Sequence, residues 1–190
     1  MHLTIKKFMT IDLTVLTVLA IIVDVIGYFA SQSALTFLYV ALSIPLLMMA
    51  FIRWNKYAFS MVIVVVILHA ILYHSGSALA TILYLIGFPA TMITMLWFKM
   101  FPQNRIRHEV LLLTLYYTTG YLALFLFHIM AMSVLGDIQW ITLLIRHSFN
   151  FIFGWFILWI ISRQQDLLVD MKSFLIKQSQ ERKREEEHIV

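Results

Sequence analysis

Within Gln139–Asn150, QWITLLIRHSFN, four polar side chains fall on one side of what reads as a helix. At 100° per residue, Arg146 and Asn150 are about 40° apart, Gln139 is about 20° from Arg146, and His147 is about 60° from Asn150. That face offers a guanidinium that forks onto carboxylate or phosphate, an imidazole that donates and accepts, and two amides. The stretch opens a hydrophobic run that continues to Ile161. An arginine so deep in an apolar helix costs about 2.5–3.5 kcal/mol on insertion scales, and it faces protein or water rather than lipid. The chemistry these side chains support is recognition of a polar or anionic molecule.

Further groups of the same kind recur along the chain. Asp24 and Tyr28 stand one turn apart, as do His69 and Tyr73, with His74 just beyond. Tyr117, Tyr121 and His128 form one stripe within about 40°, with Gly120 beside it. The candidate ligand-binding set is therefore Arg146, His147, Asn150, His128, Tyr121, His69, Tyr73 and Asp24. Asp24 is expected to balance the charge of Arg146. The competing expectation is an internal ion pair and buried histidines that only hold helices together. Tyr84 and Trp140 read as aromatics of the membrane interface. Gly120 and Gly154 read as points of close helix approach, and Pro45 and Pro89 as interruptions that either kink their helices or are accommodated.

Several chemistries are set aside. No HExxH and no histidine pair at i,i+4 marks a metal site, and there is no cysteine. Ser75 and Ser77 in HSGS read as a short turn rather than a nucleophile motif. No Gly-rich nucleotide loop, voltage-sensor arginine ladder or filter signature is present. No catalytic residue, metal or cofactor is expected, and binding is favoured over catalysis.

The elements that must position these residues follow from composition. The chain has 190 residues, 62% hydrophobic and 13% charged. A soluble domain of that length could not hide so much apolar surface, so the expectation is an all-α polytopic membrane protein. Six runs read as spans, at 8–30, 34–52, 57–73, 78–98, 109–135 and 138–162. They make one transmembrane domain over 1–162, followed by a cytoplasmic tail over 163–190. KMFPQNRIRH, Lys99–His108, reads as the longest internal loop. Lys6, Lys7, Arg53, Lys56, Lys99, Arg105, Arg107, Arg163 and the basic residues of the tail fall on one side of that map. Positive-inside asymmetry then puts both termini in the cytoplasm and the polar cluster in the outer half of the cell membrane. The pI near 9.4 is thereby a topology signal that calls for no nucleic acid. Leu167, Met171, Phe174 and Leu175 predict an amphipathic helix in the tail, ahead of the charged run ERKREEEH.

Six spans, both ends cytoplasmic and a polar cluster near the outer face resemble the substrate-binding S components of energy-coupling factor vitamin transporters. ALTFLYVALSIPLLMMAFIRWNKYAFSMVIVV is similar to that family's second span, basic turn and third span. The resemblance covers the layout of residues 8–162 and lies in arrangement rather than in motif. It implies a bundle that binds a vitamin or precursor from outside, with a transmembrane coupling subunit and ATPase subunits as partners. Readings from other classes are the membrane sensor domain of a signalling protein, a scaffold of the cell envelope, and an intramembrane hydrolase.

Overall fold

The structure is a computed structural model, and it describes residues 2–32, 43–73, 76–136, 139–164 and 168–188. The described residues are helical apart from short turns, with no strand among them. The elements are α1 (His2–Ser31), α2 (Ser43–Trp54), α3 (Phe59–Leu72), α4 (Ala78–Ala90), α5 (Trp97–Met100), α6 (Gln103–His108), α7 (Val110–Leu135), α8 (Trp140–Arg163) and α9 (Met171–His188). Five helical stretches are long and apolar enough to cross a bilayer: Ile5–Ser31, Ser43–Leu72, Ala78–Met100, Val110–Leu135 and Trp140–Arg163. Isoleucine, valine, leucine and phenylalanine cover their outer faces, as lipid-facing helices require.

Ser43–Leu72 is not one rod. The Asp24 carboxylate accepts the Ser43 N–H and also lies beside the His69 imidazole. Those two residues would be about 39 Å apart along a continuous helix. The chain reverses at Asn55, whose φ of 51° is left-handed, a conformation asparagine tolerates better than most residues. A 3-10 turn, Asn55–Ala58, then leads into α3. The predicted basic turn is thus a helix-to-helix hairpin. Pro45 lies near the start of the described helix α2, and the residues before Ser43 lie outside the described set.

α2 is the central post of the bundle. Every residue in it except Leu46 is buried, and α1, α3, α7 and α8 pack around it. Tyr116 of α7 donates its hydroxyl proton to the Met48 carbonyl at 2.9 Å, pinning α7 to α2. At the end of the bundle that carries the basic residues, Asp12 accepts from Arg53 Nε and Nη2, both at 2.8 Å, and from Trp54 Nε1 at 2.5 Å. This bidentate pair ties α1 to the α2–α3 turn.

Two sequence expectations are corrected here. Lys99–His108 is not a plain loop. Pro102 starts α6, and Ile106 is fully buried against the core. Pro89 neither simply kinks its helix nor leaves it unchanged. The α-helical ladder ends at Ala90, the backbone continues as a 3-10 helix over Thr91–Leu96, and α5 follows. The tail does form a helix. Leu168 and Met171 are buried in the core, and Leu175 packs against it. Asp170 caps α9 by accepting the N–H groups of Lys172 and Ser173 and the Ser173 hydroxyl. Leu167, His74, Ser75 and Asp137 lie outside the described residues.

Candidate functional site

The polar residues of α3, α7 and α8 meet at the end of the bundle opposite the basic one. They line a cavity of about 380 Å³, within the size range of small-molecule sites. Its rim is formed where α1 ends, at Ser31 and Gln32, and where α8 begins, at Gln139, Thr142 and Leu143. Ile44, Phe88 and Leu124 give it apolar walls.

Seven of the eight candidate residues line this one space: Arg146, His147, Asn150, His128, Tyr121, His69 and Tyr73. Gln139, on the same helical face as Arg146, lines it too. Asp24 does not. It is buried directly behind His69, with its Oδ2 at 2.9 Å from His69 Nε2 and its Oδ1 accepting the Ser43 N–H at 3.2 Å. The expectation that Asp24 balances Arg146 is therefore corrected: both carboxylate oxygens are engaged by α2 and α3. Depth alone could not separate a neighbour on α3 from one on α8.

The imidazoles are held in two short chains. His69 Nδ1 lies 2.8 Å from the Tyr84 hydroxyl. On the other side, His128 Nδ1 lies 3.3 Å from His147 Nε2, and Tyr121 Oη lies 3.1 Å from His147 Nδ1. Tyr121 also donates to the His147 carbonyl at 3.0 Å. The Tyr84 ring lies flat on His128, with centroids 4.4 Å apart and planes 16° apart, so stacking joins the two chains. His69 in turn stacks on Tyr73 at 5.0 Å and leans on Phe88 at 4.3 Å. Gly87 makes room for this wall, since a Cβ there would meet the His128 ring at 3.3 Å.

Sequence reasoning missed Tyr84, as well as Ser31, Gln32 and Thr142 at the rim. Tyr84 lies midway along α4, about two turns in from the helix start, and its ring lines the cavity rather than the membrane interface. The available signal was His69: one buried imidazole bonded to an acid needs a second partner on its other nitrogen. Trp140, by contrast, is half exposed at the start of α8. Tyr117, of the same α7 stripe, points below the cavity and donates to the Asn150 carbonyl at 3.4 Å. Ser77 caps α4 through its hydroxyl, consistent with a turn role for HSGS.

Chemically, the described lining offers one guanidinium, three imidazoles, three phenols and several amide or hydroxyl groups, and no carboxylate. Among the described residues no group of three or more His, Cys, Asp or Glu is placed to hold a metal ion. Such a surface binds through stacking, hydrogen bonds and one positive charge. Compared with protein-family models, curated proteins and solved structures, the chain matches none of them.

Proposed function

We propose that this chain is a membrane-embedded subunit that binds a small, flat, polar molecule with an anionic group, a vitamin or precursor. Binding takes place in the cavity from outside the cell. A separate ATP-driven coupling module then drives release inside, as in the S components of energy-coupling factor transporters. The observation that carries this reading is the convergence of Arg146, His147, Asn150, His128, Tyr121, His69 and Tyr73 on one cavity. His69 bonds Asp24 and Tyr84, and His147 bonds His128 and Tyr121, across helices as polar glue does, and the histidines and tyrosines among them also line one cavity. Here they surround a space large enough for a ligand of vitamin size.

The topology belongs to the same proposal. With Ser43–Leu72 folded back at Asn55, the chain crosses the bilayer six times and both termini share the cytoplasmic, basic side. The cavity then faces outward. Asp24 and Tyr84 act from behind and beside the ligand, and the guanidinium of Arg146 takes its anionic group.

The test is native mass spectrometry of gently purified protein, with binding titrations of any small molecule it retains. Arg146→Ala and His128→Ala should weaken retention tenfold or more while the protein stays folded and monodisperse. Arg146→Lys should remain impaired, because lysine keeps the charge and loses the planar fork. Wild-type retention by Arg146→Ala would end this reading and leave structural glue. Copurifying ATPase subunits would support the coupling module.

A further inference from the structure

Resting on the reading of the cavity as a ligand site, we propose that His128 and His147 together hold a divalent ion of the zinc type and leave two of its positions to the ligand. The ligand class that results is an anionic chelator, a flat molecule whose carboxylate and a neighbouring donor close on that ion. The two histidines come from different helices, so no sequence spacing marks the pair.

His128 Nδ1 and His147 Nε2 lie 3.3 Å apart, and both rings line the cavity. Hydrogen bonds from N–H donors span about 2.7–3.2 Å, so this contact is long for one. It is also hinged, with ring centroids 5.1 Å apart and planes at 63°. A straight N–H···N line at the same nitrogen spacing would put the centroids about 5.6 Å apart. An ion about 2.0–2.1 Å from each nitrogen would instead subtend about 105° and put them about 5.1 Å apart. The hinge thus fits an ion at its vertex better than a proton on the line between the rings. Coordination draws a lone pair from each ring whatever proton the ion-free pair shares, so the site rests on the placing of two nitrogens. Each neutral ring then carries its proton on the nitrogen away from the ion. For His147 that is Nδ1, 3.1 Å from Tyr121 Oη, which accepts it while donating its own proton to the His147 carbonyl at 3.0 Å. A partner of this kind orients a metal-bound histidine. For His128 it is Nε2, which is enclosed and has no hydrogen-bond partner, so no other bond must break. Both rings are held in place. Tyr84 lies flat on His128 with centroids 4.4 Å apart, and Phe125 stands edge-on to His147 at 4.8 Å.

Among the described residues no third histidine, cysteine or carboxylate joins the pair, and His69 is engaged by Asp24 and Tyr84. Two positions of a tetrahedron are thereby left to whatever occupies the cavity. Among the described residues no carboxylate lines that space, so none of them offsets the charge of the ion there. A chelating anion fills both positions and neutralises the charge, whereas a cationic molecule does neither.

Two measurements on the full chain in lipid nanodiscs, first stripped of metal with a chelator, test this. In the first, cobalt(II) stands in for zinc, and its visible absorption, intense when coordination is tetrahedral, follows binding. One ion per chain should bind, zinc should displace it, and X-ray absorption should find two imidazoles around it. His128→Gln and His147→Gln should each weaken binding tenfold or more, and the double variant little further. His108→Gln, at the opposite end of the bundle, should change nothing. Tyr121→Phe should weaken binding about tenfold and keep the tetrahedral band, as loss of an orienting partner does. Cobalt bound without imidazole overturns the proposal, and that reading needs only the unmodified chain, so it stands even if the histidine variants fail to fold. No cobalt binding at millimolar concentration overturns it equally. In the second, calorimetry measures picolinate, a flat anionic chelator, with and without one equivalent of cobalt. Cobalt should tighten picolinate binding tenfold or more in the unmodified chain and not in His147→Gln. Picolinate that binds equally well without cobalt leaves the ligand-site reading in place and overturns this one. Cobalt held by two imidazoles while picolinate never binds overturns the chelating ligand.

Discussion

Asp24 had Arg146 and several imidazoles near its depth of the bundle, and it took His69, a weaker base than the arginine. Pairing with Arg146 would have buried a full ion pair, whose desolvation offsets much of its attraction. Pairing with His69 needs no second charge, and the Ser43 N–H satisfies the other oxygen. Asp24→Ala strands both donors in an enclosed site, where each unpaired group costs about 1–3 kcal/mol. Unfolding in detergent should show that loss. A double-mutant cycle of Asp24 with His69 should show coupling above about 0.5 kcal/mol, whereas Asp24 with Arg146 should be additive within that margin. The reverse pattern would restore the pairing that the sequence alone suggested. The residue types were legible because an ionisable group inside an apolar run announces itself. Their partners were not. Helical phase and depth fix where on a helix a side chain sits, and neighbour identity depends on which helices pack together. Tyr84 was hidden for the same reason, since a tyrosine about two turns into an apolar helix looks alike in sequence whether its ring turns outward or inward.

Helix packing around the cavity depends on two glycines that the sequence did flag. A Cβ on Gly120 would run into the Met48 methyl group and lie 2.6 Å from Thr94 Cγ2. One on Gly154 would strike the Tyr117 hydroxyl. Met48 is flexible at its tip, but Thr94 is β-branched and sits in the 3-10 stretch after Pro89, and Tyr117 is locked by its bond to the Asn150 carbonyl. Gly120→Ala and Gly154→Ala should each cost about 1–3 kcal/mol of stability, as overpacking does. Gly76, whose Cβ would meet nothing within 4 Å among the described residues, should accept alanine without loss. Thermal melts of the three variants decide this, and equal melting temperatures would show that the contacts relax freely. At this scale the sequence read element existence well and element ends poorly. Lys99–His108 carries proline and charge, which mark a loop, yet Ile106 supplies the one apolar side chain that ties a helical turn to the core. Asp170 was passed over as part of a polar tail, although it precedes the first turn of α9. Asp170→Ala should cost about 0.5–2 kcal/mol at that cap and speed amide exchange in Lys172 and Ser173, with the α7 amides unaffected.

Across the whole molecule, charge and cavity divide the bundle between its two ends. Arg53, Arg107 and Arg163 cluster with the docked start of the tail, where Arg107 Nη2 donates to the Gln164 carbonyl at 3.4 Å. His69, His128 and His147 cluster at the far end with Arg146, and among the described residues no lysine lines that cavity. On the proposed topology the basic end faces the cytoplasm, the side on which basic segments are retained during insertion. Reporter fusions after Lys56 and Arg105 should therefore read cytoplasmic, and fusions after Ser33, Ser75 and Asp137 external. The fusion after Lys56 carries the most information. If Ser43–Leu72 were a single crossing, its midpoint would lie within the bilayer and a reporter there would give no clean side. A clear cytoplasmic reading follows only if the chain turns back at Asn55, as the shared hold of Asp24 on Ser43 and His69 requires. Gln139→Cys, labelled with a membrane-impermeant thiol reagent in a chain that has no cysteine of its own, gives the complementary check, since this rim position should react from outside in intact cells. An external Arg105 fusion together with an unreactive Gln139→Cys variant would invert the molecule, turn the cavity to the cytoplasm, and make uptake from outside untenable.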